Sequence, residues 1–376
     1  MKIQLHDNGL HLEFAPLSLL KPIAELRMGI LTFEERWEEH FPDAEFSFAT
    51  EGYLQTKYPL ELNCDITVPA NAIPNEDYAT VLYTMTDNTS LYQGEYWLGT
   101  KGNGETKMHY TGEEVVIISK RWHLFQKNDI AIKSDFALLT EGIDSQKLSD
   151  TVTVIGDRNL IFLEEGAKAE ACVLNTTDGP IYLGEEAEIM EGALVRGPFA
   201  LCEHAGLKMG AKIYGATTIG PHCKVGGEVG NSVFQGYSNK GHDGFVGNAL
   251  IGEWCNLGAD TNTSNLKNNY STIRTYNYAL GKEEQTELQF MGLTMGDHSK
   301  CGINTMFNTA TVVGVSCNIY GGDFPQKFIP SFSWGGAEFV PFAFDKAAEA
   351  ANGMMRRRGL ELSSEEIEIL RYLQKD

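Results

Sequence analysis

From about residue 150 onward, apolar and small side chains return every six positions. One run is Ile155, Ile161, Ala167 and Val173, and a second of eight is Leu183, Ile189, Val195, Leu201, Leu207, Ile213, Ile219 and Val225. The spacing recurs at Phe245, Ile251 and Leu257, and again at Met295, Cys301, Phe307, Val313 and Ile319. A period of six fits neither an amphipathic helix nor simple strand alternation. It predicts a hexapeptide β-helix, in which short strands form three flat faces and one aliphatic per hexad points inward. Glycine often follows the hit, as at Ile219-Gly220 and Leu257-Gly258, where the chain turns a crowded corner. The interruptions at 231–244 and 262–294 predict loops thrown out from the coils, where function tends to sit.

The pattern before residue 150 is different. Short β-like runs (KIQLHL, ELNCDITV, YATVLYTM, EEVVIIS) surround a helical stretch, ILTFEERWEEHF, and together predict an α/β unit. Gly102-Asn103-Gly104 reads as a hairpin turn. Residues 343–358 read as a helix closed by Gly359, and Ser363 with Glu366 reads as the capping box of another. The predicted domains are therefore 1–150, an α/β unit; 151–336, the β-helix; and 337–376, a helical tail.

Composition narrows the function. A 42% hydrophobic content over 376 residues excludes global disorder. The net charge of −21 argues against nucleic-acid or anionic-membrane partners, which need a cationic surface. No run approaches ~18 apolar residues, and the N-terminus MKIQLHDNGLHLEF lacks a signal-peptide pattern. Seven cysteines without a C-x-x-C pair favour a reducing, cytoplasmic setting over a disulfide or tetrahedral zinc framework. Of 39 glycines, 28 lie in 151–336 and only 9 before it, which marks where the coil begins.

Candidate chemistry concentrates after Glu228. Lys240-Gly241-His242, Gly247, Ile251-Gly252, Asn256-Leu257-Gly258-Ala259, Thr261 and Asn265 follow one another at fixed spacing. This stretch resembles the acetyltransferase domain of the bifunctional glucosamine-1-phosphate acetyltransferase/N-acetylglucosamine-1-phosphate uridyltransferase (GlmU) family. The resemblance implies a left-handed coil, a homotrimer with sites between chains, and acetyl transfer from acetyl-CoA to an amino sugar 1-phosphate. Histidine suits the base such a transfer needs, so His242 is the candidate general base. Asn256 and Asn265 would bind the sugar or the reacting amide, and Lys240 a phosphate, with Glu228 and Phe245 in the acceptor site. His298, in Gly296-Asp297-His298-Ser299-Lys300, is a second candidate base. Three positions depart from the family: Phe245 stands for a tyrosine, Gly230 for a lysine, and Leu266 for a tyrosine. Arg196, Lys208, Lys212, Lys224 and Lys267 are further cations on or near the coils, read as solvating.

Residues 14–32 resemble the P-L-T-x-x-x-P-K-P stretch of sugar nucleotidyltransferases, in the diverged form of a Bacteroidetes-type branch. The resemblance makes Lys21 and Arg27 candidates for nucleotide phosphates and Asp65 a candidate Mg²⁺ ligand, with UTP as substrate. The family's glycine-rich G-x-G-T-R loop is missing. Arg356, Arg357 and Arg358 fall at a helix C-terminus, where the macrodipole favours cations, a role that competes with phosphate binding. The expected protein is a sugar-nucleotide biosynthesis enzyme handling small sugar phosphates and nucleotides. The alternatives are a nucleotidyltransferase whose β-helix only oligomerises, and a non-catalytic scaffold.

Overall fold

A computed structural model describes residues 1–375, which form two units. The first comprises 1–14, 18–26 and 31–121 and is Rossmann-like. Its first strand, Lys2–His6, runs parallel to Glu45–Ala49 on one side and Ile66–Pro69 on the other. Tyr96–Lys101, Thr89–Gln93 and Thr106–His109 extend the sheet beyond Ile66–Pro69. Helix Phe33–His40 opens on a full capping box between Thr32 and Glu35.

Two expectations fail in this unit. The run YATVLYTM is not a strand but most of the helix Glu76–Thr84. Asn75 caps it by accepting from the Tyr78 amide at 2.8 Å, and Tyr78, Ala79 and Leu82 are buried on one face. Cap and face outweigh the β-branched content that suggested a strand. Nor does Gly102-Asn103-Gly104 join a hairpin. The strand after it, Thr106–His109, pairs in parallel with Thr89–Gln93 instead of with the strand before it.

The second unit comprises 15–17, 27–30 and the described residues from 122 onward, and contains the β-helix. Each coil gives one short strand to each of three parallel sheets. Leu183, Leu201, Ile219, Phe234, Ile251, Met295, Val313 and Ile329 pair in succession along one sheet, and all are completely buried. Burying each such side chain contributes roughly 1.5–3 kcal/mol, and no single coil could do it alone.

The hexad reading slips where coil length changes. Successive partners on this sheet are Phe199 with Thr217, Thr218 with Val233, and Val233 with Leu250, offsets of 18, 15 and 17 residues. The segment 231–244 is therefore a short coil, not an extruded loop. The inward residue after it is Val246, paired with Val229, so Phe245 points outward. Ile155 and Val173 of the first run are likewise one residue out of phase, although Ile161 is buried in the core. Val154, Leu174 and Val195 form the inner row, while Ile155 is 47% exposed. Between Thr263 and Thr294 the chain does leave the coil, and it folds back as the hairpin Arg274–Asn277 with Lys282–Gln285.

One face of the β-helix is covered within its own unit by residues 27–30 and helix Asn128–Thr140. Gln235 clasps Arg27 through both its amide groups, at 2.7 and 3.0 Å to the backbone N–H and C=O. Asn128 bonds the Gly29 amide and the Ala216 carbonyl. At the other end, helix Phe344–Met355 passes through the turn Arg356–Arg358 to Gly359, whose φ of +74° closes it as expected. Ser363 and Glu366 then bond reciprocally to open the helix Ser364–Lys375.

Candidate functional site

His242 lies exposed at a corner of the β-helix, immediately after the strand Asn239–Lys240. It lines a groove of about 830 Å³ together with Asn256. Strand register explains the groove floor: Lys224, Asn239, Asn256 and Lys300 are successive partners, so their outward side chains form a polar row. Burial lowers the Lys300 pKa, and its ammonium donates to the His298 carbonyl at 3.0 Å.

A second row runs along the neighbouring corner. His204, His222, Tyr237 and Trp254 stack at centroid distances of 4.8, 4.7 and 4.2 Å with planes within 18°. All four have positive φ, from 52° to 58°. That conformation is uncommon for bulky residues, and the corner hydrogen bonds of the coil enforce it. His222 N–H donates to Glu203 C=O, and Tyr237 N–H to Pro221 C=O. Tyr237 and Trp254 form part of the groove wall. Lys208, Lys224, Arg357 and Arg358 bring positive charge to it. Burial, then Arg358 and Lys208, lower the Lys224 pKa; burial, then His204, Arg358 and Lys224, lower that of His222. Cations held close enough to depress one another form a cradle that a bound anion would relieve. Arg358 is fixed by donating to the His222 carbonyl at 3.1 Å.

The remaining sequence candidates fall elsewhere. Lys240 turns into the β-helix between Val225 and the next coil, 1% exposed. Its ammonium donates to Gly226 C=O at 3.1 Å and His242 C=O at 2.8 Å, and burial lowers its pKa to about 8. Phe245 and Asn265 line a separate cavity of about 370 Å³. Glu228 accepts from the Tyr214 hydroxyl beside that cavity, at 2.6 Å. His298 is buried at the corner position after Trp254, its amide bonded to Glu253. Lys21 is buried in the first unit, whereas Arg27 belongs to the second and donates from its guanidinium to the Ile30 carbonyl. Asp65 is exposed and accepts from the Lys2 amide at 2.8 Å. Among the described residues, no three metal-binding side chains cluster.

Tyr237 and Trp254 were not singled out from the sequence as groove residues. Their signal is a spacing of one coil, as in 204, 222, 237 and 254, and it becomes readable only once coil lengths are known.

Comparison with known proteins adds lineage to this geometry. Residues 3–144 match the family described as sugar nucleotidyl transferase. A bifunctional protein GlmU from Synechococcus elongatus is 23% identical over 222 residues, covering 54% of this chain and 45% of that protein. The similarity to GlmU is therefore partial. A GlmU from Methanocaldococcus jannaschii is 30% identical over 90 residues, 24% of this chain and 21% of its own. The chain thus spans less than half the length of these relatives. Among solved structures, an Arabidopsis UDP-N-acetylglucosamine acyltransferase aligns over 61% of this chain and 90% of its own, at 17% identity and a TM-score of 0.23. No helix among the described residues is long and apolar enough to cross a membrane.

Proposed function

We propose that the β-helix transfers an acetyl group from acetyl-CoA to an amino sugar, in the formation of sugar nucleotides. The observation that carries this reading is His242 at the edge of a groove that gathers Lys208, Lys224, Arg357 and Arg358. The cations suit the phosphates of coenzyme A. Acetyl-CoA supplies a thioester carbonyl, on which a C–N bond forms as the C–S bond breaks. His242 accepts the amine proton, which leaves with the thiol, while Asn256 orients the acceptor by hydrogen bonds. Lys240 holds the His242 turn through its carbonyl.

The test is release of free coenzyme A from acetyl-CoA with glucosamine 1-phosphate and a panel of related amino sugars. His242→Ala should lower kcat by about 10²-fold or more with the fold intact. Turnover unaffected by that change would refute the assignment. A homotrimer in a cytoplasmic setting belongs to the same proposal. It is supported by exposed apolar side chains on the β-helix such as Met209, Leu194 and Ile303. A second reading, uridylyl transfer from UTP with Mg²⁺, is favoured by the match over residues 3–144. Lys21 and Asp65 are its candidate residues, and pyrophosphate release from UTP and N-acetylglucosamine 1-phosphate tests it separately.

A further inference from the structure

The smaller cavity carries an inference that rests on the acyl-transfer reading and changes its acceptor. Its wall is made by three aromatic rings, Tyr214, Phe245 and Phe290, and three carboxamides, Asn231, Asn248 and Asn265. Among the described residues, no lysine, arginine or histidine lines it. Gly230, where the resemblance calls for a lysine, is in the wall, and a Cβ there would come within 2.9 Å of the Tyr214 ring. The aromatic ring thus takes the space that a longer side chain would need. The charge beside the cavity has the wrong sign for a phosphate. Glu228 holds the Tyr214 phenol by a 2.6 Å hydrogen bond, and burial together with that carboxylate pushes the phenol up to about 12, so it stays neutral. Lys212 lies 3.8 Å from the same carboxylate and is engaged by it.

The polar groups that remain suit hydroxyls. Asn265 donates to the Asn248 side-chain oxygen at 2.8 Å, which fixes both amides and leaves the Asn265 oxygen and the Asn248 NH₂ free to bond a ligand. A pyranose offers apolar C–H faces to aromatic rings and hydroxyls to carboxamides, and about 370 Å³ accommodates one such ring. The cavity is also tied to the candidate base, because the strand Phe245–Gly247 starts three residues after His242. We propose that this cavity is the subsite for a pyranose without a phosphate group, so that the amino sugar acetylated here carries no phosphate.

The experiment titrates the full chain with N-acetylglucosamine and with glucosamine 1-phosphate, read by ligand-observed NMR and calorimetry. The expected result is a Kd at least about 10-fold lower for N-acetylglucosamine. Phe245→Ala should weaken that binding by about 10-fold and Asn265→Ala by about 5-fold, while Phe245→Tyr, which keeps the ring, stays within about 3-fold. If Phe245→Ala fails to fold, the Asn265→Ala and Phe245→Tyr pair still decides. Tighter binding of the phosphate, or binding indifferent to residues 245 and 265, overturns the proposal. Neutral-sugar binding with no coenzyme A release from any acceptor would leave the subsite standing and remove the acyl-transfer reading. Transfer to glucosamine 1-phosphate without neutral-sugar binding would do the reverse.

Discussion

Lys240 stands where the repeat calls for an aliphatic side chain, with Val225 before it in the same row. Its ammonium is tolerated because two backbone carbonyls receive it, and one of them belongs to His242. Burial holds its pKa near 8 against an ordinary 10.5, so the folded chain releases this proton before the unfolded chain does. Between those two values the unfolded state binds more protons, and stability from this group rises with pH; below about 8 it is flat. Denaturant titrations of wild type and Lys240→Met should therefore diverge from pH 8 upward, with wild type gaining on the order of 2 kcal/mol relative to the variant by pH 10.5. Parallel curves would mean that the ammonium is solvated. At pH 7 the same variant should lower kcat more than it raises KM, since the lysine steadies the turn carrying the candidate base without meeting substrate.

At the scale of the element, the corner glycines set the coil. A Cβ on Gly220 would stand 1.9 Å from the Gln235 carbonyl oxygen, a backbone atom that has no way to yield. Gly220→Ala should cost about 3 kcal/mol in a urea melt, whereas Gly210→Ala, with open space around it but a φ of +70°, should cost about 1 kcal/mol. Equal costs would mean that conformation, not contact, governs these corners. The same elements mark the limit of reading by pattern. Leu183 to Val225 was legible because eight regular strands keep phase. The phase was lost at 231, where a coil shortens, and a count of six back from Ile251 placed Phe245 inward where the register puts Val246. His242 and Asn256 were legible from local spacing and do share a groove. The cations and rings that complete it come from other coils and from the tail, and only three-dimensional stacking brings them to one wall.

For the molecule as a whole, a net charge of −21 makes local cation clusters informative. Arg357→Ala with Arg358→Ala should weaken coenzyme A binding by about 10-fold at low salt, and the gap should close as ionic strength rises past a Debye length of about 8 Å. A gap that persists at high salt would point to packing by the tail instead of charge. Sedimentation of the intact chain should give three times the mass of one protomer, and a monomer would remove the trimer from the proposal. The short coil at 218–233 has one more consequence. A solenoid of equal coils has translational symmetry along its axis, so each corner is interchangeable with the one below it. Dropping three residues between Thr218 and Val233, and one more from the coil after it, breaks that symmetry around His242. It gives a repetitive scaffold a distinct address, and the proposed reaction centre uses it where a ladder of identical rungs offers none in particular.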